Sequence, residues 1–124
     1  ALSQSAHLKN LQELNLSGNC IGEKGFLLLA KSENFKNLKV LKISGIPMSD
    51  EGIQSLTNSS SLKQLEELEV AGNSILGSGL RMLAKSSLLR QLKKLDLRRN
   101  RLLEADQMIL AASPDFCNLK TLRF

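Results

Sequence analysis

The sequence predicts an α/β solenoid, an arc in which a parallel β-sheet lines the concave face and helices cover the convex face. Three observations predict this fold class: one phrase recurs at a constant interval, apolar residues alternate within it, and helically spaced apolar residues follow it. Of the 124 residues, 42% are hydrophobic and only 3% are aromatic, so the core must be mainly aliphatic. A chain of this length forms a single domain or part of one.

The recurring phrase has a period of 27 residues, without insertion or deletion. LQELNLSGNCI begins at Leu11, and LKVLKISGIPM, LEELEVAGNSI, LKKLDLRRNRL and the shortened LKTLRF begin at positions 38, 65, 92 and 119. We call a set of residues spaced 27 apart a column. Because repeats of this length are typical of solenoids, the chain divides into a partial repeat over 1–7, repeats one to four over 8–34, 35–61, 62–88 and 89–115, and a truncated repeat over 116–124.

Each phrase contains the alternating pattern L-x-L, which predicts a short strand. Leu14 and Leu16 then point to one side of the sheet, and Glu13 and Asn15 point to the other. Strands of successive repeats stack about 4.8 Å apart. One column of leucines should therefore form a continuous inner layer: Leu14, Leu41, Leu68, Leu95 and Leu122.

A column of asparagines follows the strands, at positions 19, 73 and 100. Turn asparagines hydrogen-bond their side chains to nearby backbone, so we expect this column to stabilise the loops. Ile46, followed by Pro47, replaces the asparagine in repeat two, where we expect an altered turn. Beyond the turn, apolar residues at i, i+3 and i+4, such as Leu80, Leu83 and Ala84, predict a helix.

The pattern L-x-x-L-x-L-x-x-N at this period resembles that of leucine-rich repeat proteins. The long period and the segments IGEKG and MSDEG resemble those of the ribonuclease-inhibitor-like subclass. The resemblance implies a horseshoe whose concave face binds a protein partner without catalysis, as a scaffold or module of a larger protein. Parent classes that it implies are NLR-type receptors of innate immunity, Ran GTPase activators, tropomodulin-like proteins and bacterial effectors.

The candidate partner-binding residues project from the concave side of the predicted strands or lie directly beyond them. Lys42 and Lys94 stand on the strands beside Glu69 and Glu67, one repeat away in the same columns, which favours cross-strand charge pairs over an acid–base site. Interface hot spots favour Trp, Tyr and Arg, and no aromatic residue occurs in this set. The candidates are Glu13, Asn15, Lys42, Glu67, Glu69, Lys94, Asp96, Arg98, Arg99 and Arg123.

An alternative function arises from the uneven charge. Lys and Arg number 17 against 12 for Asp and Glu, a net charge of +5. Eight basic residues and one acidic residue lie between Arg81 and Arg101. The alternative is therefore a nucleic-acid or other polyanion surface formed by Arg90, Lys93, Lys94, Arg98, Arg99 and Arg101.

One loop has the spacing of a phosphate-binding motif, G-x-x-x-x-G over residues 72–77. That motif needs a lysine after its second glycine, and Ser78 stands there instead. Gly72 also shares a column with Gly18 and Gly45, which favours a structural role. We therefore expect no cofactor, and we find no catalytic or metal-binding set. The single histidine, His7, is expected in a surface loop.

Compartment and state of association can also be anticipated. Cys20 and Cys117 lie more than three repeats apart, so we expect both to be unpaired, as in a reducing cytoplasmic compartment. No apolar run is long enough to span a membrane. Neither end carries a polar capping unit, and solenoids must cover their terminal apolar layers. We therefore expect a piece of a longer solenoid whose isolated form is marginally stable, associates end to end, or depends on missing flanking repeats.

Overall fold

The computed structural model describes residues 9–124, apart from the side chain of Cys117. Strands and helices alternate along the chain as the repeats predict. The strands are β1 Glu13–Asn15, β2 Val40–Lys42, β3 Glu67–Glu69, β4 Lys94–Asp96 and β5 Thr121–Arg123. The helices are α1 Gly22–Lys31, α2 Asp50–Thr57, α3 Gly77–Lys85, α4 Ser87–Gln91 and α5 Glu104–Ala111, with short 3-10 helices over Glu33–Phe35 and Phe116–Asn118.

The five strands form one parallel sheet in the order β1-β2-β3-β4-β5. Each strand pairs with the next in a register of 27 residues, so that Leu14 lies beside Leu41 and Leu41 beside Leu68. Leu41, Leu68 and Leu95 are fully buried. Leu14 and Leu122, on the outer strands, are partly buried. The α/β fold with a parallel sheet is therefore confirmed.

The core lies between the leucine side of the sheet and the helices. Leu80, Leu83 and Ala84 of α3 are buried against it, as are the corresponding residues Phe26 and Leu29 of α1. This is the face that the helical spacing predicts. Repeat three differs from its neighbours because its return segment adds a further helix, α4, where repeat one has a 3-10 turn.

The asparagine column forms a hydrogen-bonded ladder between repeats. Asn100 Oδ1 accepts hydrogen bonds from the amides of Asn73 (2.9 Å) and Ile75 (3.1 Å). Asn73 is fully buried and bonds in the same way to the loop of repeat two. Ile46 has no polar side chain to continue the ladder, so the Asn19 amide donates to the Leu16 carbonyl within its own loop. The ladder is therefore interrupted at Ile46, but the turn before it keeps the left-handed glycine of the other loops, so the expected alteration of this turn is not seen there.

One column of residues with a left-handed backbone conformation lies in the turns that follow the strands. Gly18, Gly45 and Gly72 have φ angles of 75°, 68° and 66°. This region is open to glycine at little cost, whereas side chains with a Cβ are crowded there. Arg99 occupies the same column with a φ of 58°, so repeat four carries strain at this position where the other repeats have glycine; Ser74 of repeat three is the other non-glycine residue with a left-handed φ (62°) among the described residues.

Two sequence expectations reach beyond the described residues. His7 lies outside them, but Asn34, Ser61 and Leu88 of its column are buried, so this column is not a surface column in repeats one to three. Cys20 is free and exposed, while the Cys117 thiol is not among the described atoms. Within residues 9–124, no helix combines the length and apolar character needed to cross a membrane.

Candidate protein-binding face

The sheet has a face opposite the core, which we call the open face, formed by the residues that alternate with the buried leucines. Nine of the ten candidate residues lie on or directly beyond its strands, and Arg99 lies in the loop after β4. Glu13, Arg98 and Arg123 are exposed, and Lys42 is partly exposed. The structure therefore brings most of the candidates onto one surface.

Ion pairs on the open face join neighbouring strands diagonally. Lys42 Nζ lies 3.2 Å from Glu13 Oε1, and Lys94 Nζ lies 3.4 Å from Glu69 Oε1. The hydrogen bond to Glu13 raises the pKa of Lys42 above its ordinary value. The direct partner of Lys94 in the register is Glu67, so charge pairing reaches past the nearest neighbour. The predicted cross-strand pairing is present, with Glu13 as the partner of Lys42.

Asp96 and Arg98 form the tightest charged contact of the open face. Arg98 donates from Nη2 to Asp96 Oδ2 at 2.7 Å and from Nε to Asp96 Oδ1 at 3.0 Å. The Asp96 side chain is only 5% exposed, whereas that of Arg98 is 51% exposed. The hydrogen bond from Arg98 lowers the pKa of Asp96 despite its burial, so this carboxylate stays ionised.

Hydrogen bonds to serine side chains join neighbouring repeats just beyond the strands of the open face. We call them the serine ladder, and the sequence did not predict them. The amide of Ser44 donates to Ser17 Oγ at 3.0 Å, and the amide of Ala71 donates to Ser44 Oγ at 3.1 Å. Ala71 has no hydroxyl, so the Arg98 amide donates to Asp96 Oδ1 at 3.1 Å instead. The signal was the column Ser17, Ser44, Ala71 directly after the strands.

Some charged candidates remain without an ion pair among the described residues. The unpaired charged candidates on or beside the open face are Glu67, Arg99 and Arg123. The positive charge of Arg123 lowers the pKa of Asp96 further, which places it near that carboxylate without a close contact. The face thus presents a fixed network of paired charges, with Arg99 and Arg123 exposed at one end.

The basic cluster of the alternative function is distributed over three parts of repeat four. Lys94 and Arg98 belong to the open face, whereas Arg90 and Lys93 precede β4 and Arg99 and Arg101 follow it. Arg90 pairs with Asp115 and Lys93 with Glu66, each at 3.3 Å. Four of the six basic groups are therefore engaged with carboxylates.

Several backbone amides of the loop over residues 72–77 donate hydrogen bonds to other groups of the protein. Its amides at Asn73 and Ile75 donate to Asn100, and the Leu76 amide donates to Asp50 Oδ1 at 3.2 Å. Ser78 Oγ also donates to the Asp50 carboxylate, which therefore caps α3 from the preceding repeat. The amides of Gly72, Asn73, Ile75 and Leu76 are thus bonded within the protein, which supports a structural role for the loop. Among residues 9–124, no three side chains form a cluster suited to a metal ion.

Comparisons with known proteins agree on the fold. A sequence profile described as Leucine Rich repeat matches residues 7–30. The structure is similar to leiomodin-1 actin-binding site 2, with a TM-score of 0.73 and 17% identity over 93% of this chain and 70% of that one. It is also similar to the tropomodulin C-terminal domain of Caenorhabditis elegans, with a TM-score of 0.74 and 19% identity over 94% of this chain and 74% of that one.

An internalin from Listeria monocytogenes is similar over 92% of this chain and 35% of its own length, with a TM-score of 0.57 and 16% identity. No curated protein has a matching sequence. The repeated sequence, the parallel sheet and these similarities define the class: the chain is a leucine-rich repeat protein.

Proposed function

We propose that this chain is a non-catalytic protein-recognition module that acts within a larger leucine-rich repeat protein and binds its partner through the open face. The observation that carries the proposal is the network of paired side chains on that face. Lys42, Lys94 and Arg98 are each held by a carboxylate, so they lose little conformational freedom on binding. A partner would meet a surface that is already ordered.

Actin is the first partner to test. One similar structure is leiomodin-1 actin-binding site 2, and the second is a tropomodulin C-terminal domain. These neighbours favour the tropomodulin-like parent class over the receptor, GTPase-activator and effector classes. The identities are only 17% and 19%, so the similarity is one of fold, and it is the reason to test actin binding. The residues of the open face would determine which partner is bound.

The test uses co-sedimentation with filamentous actin and affinity capture, both with charge-matched variants. Glu67→Lys combined with Arg123→Glu alters the open face without changing net charge. Glu104→Lys combined with Lys24→Glu makes the same exchange on exposed helix positions. We expect the first variant to lose a partner that the second retains. A partner retained equally by both would place the binding site elsewhere.

A second proposal is that the basic residues of repeat four bind a polyanion, and it rests on two arginines. Arg99 and Arg101 are exposed and have no ion pair among the described residues. Phosphate binding through them would weaken steeply with added salt. Arg99→Glu should then abolish binding of a single-stranded oligonucleotide, and binding that is insensitive to salt or to this change would reject the proposal.

A further inference from the structure

A row of basic side chains runs along the edge of the solenoid where the helices lead into the strands. One column supplies the row, which we call the basic edge: Lys9, Lys36, Lys63 and Arg90. All four side chains are exposed. This row is separate from the open face, and neither the candidate residues nor the similar structures assign a role to Lys9, Lys36 or Lys63.

Hydrogen bonds between repeats keep both ends of the row in register. Asn37 Nδ2 donates to the Lys9 carbonyl at 2.7 Å, and Asn118 Nδ2 donates to the Arg90 carbonyl at 3.0 Å. In each case an amide of one repeat binds the backbone of the basic residue in the repeat before it. The spacing of these residues is therefore fixed by the fold.

The middle of the row borders a cleft. Lys36 and Lys63 line an open cleft of about 500 Å³, together with Gln64 and Ser60. Gln91 Nε2 holds the backbone beside it by donating to the Leu62 carbonyl at 2.6 Å. The cleft thus combines two ammonium groups with the side chains of Asn37, Gln64, Ser60 and Ser61 and with one carboxylate, that of Glu33.

Carboxylates are scarce along this edge. Segments 31–39, 58–66, 85–93 and 112–120, which connect helices to strands, hold eight basic and three acidic residues. Glu66 pairs with Lys93 and Asp115 with Arg90. The third acid, Glu33, lines the cleft, yet neither Lys36 nor Lys63 forms an ion pair within the described residues. The edge therefore presents uncompensated positive charge.

We propose that the basic edge binds an acidic helix of a protein partner. Stacked repeats lie about 4.8 Å apart at the sheet, so four basic groups span roughly 14 Å. Carboxylates at i, i+4, i+7 and i+11 of a helix form one stripe that spans about 16 Å. The row spans at least the distance measured at the sheet, so the two rows are comparable in length. Three of its four charges, those of the lysines, have no ion pair among the described residues, and Arg90 pairs with Asp115. The inference rests on the proposed protein-recognition function, to which it adds a second surface.

The side chains of the edge favour a protein helix over nucleic acid. Single-stranded nucleic acids bind by stacking their bases on aromatic side chains. The chain has neither Trp nor Tyr; Phe26 and Phe35 are fully buried, Phe116 packs against the core, and Phe124 lies beside β5 at the end of the sheet. Lysine contributes a flexible point charge that adapts to carboxylates on a helix. Charge alone is available here for nucleic acid, whereas the cleft offers a peptide additional polar contacts.

The experiment measures fluorescence anisotropy of labelled 16-residue Ala-rich peptides with the full chain at about physiological salt, where surface charges are screened beyond about 8 Å. One peptide carries four glutamates in the stripe, and a second has the same composition with the glutamates scattered around the helix. An oligo-dT of equal charge is the third probe. Lys36→Glu with Lys63→Glu tests the edge, and Lys24→Glu on α1 with Arg81→Glu on α3 is the charge-matched control, at exposed helix positions outside the edge segments.

We expect the striped peptide to bind at least ten-fold more tightly than the scattered peptide. Binding should fall at least ten-fold in the edge variant and change less than two-fold in the control. Equal binding of both peptides, equal losses in both variants, or tighter binding of oligo-dT that depends on the same lysines would each overturn the proposal. Glu67→Lys with Arg123→Glu should leave peptide binding unchanged, so failure of the edge is distinguishable from failure of the open face.

Discussion

The buried side chain of Asn73 completes the turn that contains Ile46, one repeat earlier in the chain. Asn73 Oδ1 accepts a hydrogen bond from the Ile46 amide at 2.8 Å, and Asn73 Nδ2 donates to the Ile43 carbonyl at 2.7 Å. Both contacts are buried, so water cannot replace them readily. The loop of repeat two is therefore held by a residue of repeat three.

Replacing Asn73 by Ala should lower the free energy of unfolding by about 2–4 kcal/mol, because two buried backbone groups lose their partners. Asn19→Ala is the matched control, since Asn19 is exposed and bonds only within its own loop. We expect that change to cost less than about 1 kcal/mol. Urea unfolding measures both, and equal losses would show that the ladder between repeats contributes nothing extra.

Arg99→Gly should raise stability by about 0.5–1 kcal/mol, because it relieves left-handed backbone strain that exceeds the entropic cost of glycine. The converse change, Gly72→Ala, should be destabilising at the equivalent position, where φ is 66°. Thermal denaturation of both variants provides the measurement. A destabilised Arg99→Gly variant would mean that the arginine side chain makes a stabilising contact that outweighs the strain.

Asp96→Asn should lower the free energy of unfolding at neutral pH and make that free energy depend less on pH in the acidic range. The folded-state pKa of Asp96 is lowered by Arg98, so its stabilising contribution is present above the unfolded value of about 4 and is lost as pH falls through the folded value. Unfolding midpoints measured between neutral and acidic pH should therefore converge for the two proteins below about pH 4. Parallel curves would contradict the assigned role.

Ser61 carries a buried hydroxyl without a hydrogen-bond partner among the described residues, so Ser61→Ala should be neutral or stabilising by up to about 1 kcal/mol. The adjacent column provides the contrast. Ser59 Oγ donates to the Ala30 carbonyl and accepts from the amides of Ser61 and Leu62. Ser59→Ala should cost about 1–2 kcal/mol in urea unfolding, and reversed signs would refute the assignment.

The chain should associate through its exposed sheet edges. Among residues 9–124, strands β1 and β5 each have one neighbouring strand, and an unpaired sheet edge favours further pairing. Phe124, which is 38% exposed beside β5, adds apolar surface there. Phe124→Lys should lower the sedimentation coefficient at high concentration, whereas Leu103→Lys, at a position that is 71% exposed on the helix side, should not. A monomer at all concentrations would contradict this prediction.

The sequence predicted the repetitive part of this molecule and missed what depends on individual side chains. The period determined the register of Leu14, Leu41 and Leu68, because identical units can stack only with identical positions opposite one another. It could not show that Lys42 pairs with Glu13, since long side chains choose among several partners at similar distance. The sequence also did not predict that Asp50 caps α3, because Asp50 belongs to repeat two and α3 to repeat three.

The gap at Ile46 determines where cooperativity is weakest. Asn73 and Asn100 join the loops of repeats two, three and four, whereas the Asn19 side chain bonds only within its own loop. The loop of repeat one is joined to repeat two by bonds that later repeats also make, such as those of Gly18 and Ser17 with Ser44. Local opening in stacked repeats begins where nearest-neighbour coupling is smallest. Amide hydrogen exchange should therefore be fastest in the segment from β1 through α1, which would behave as a separate foldon that unzips while the remaining stack stays protected.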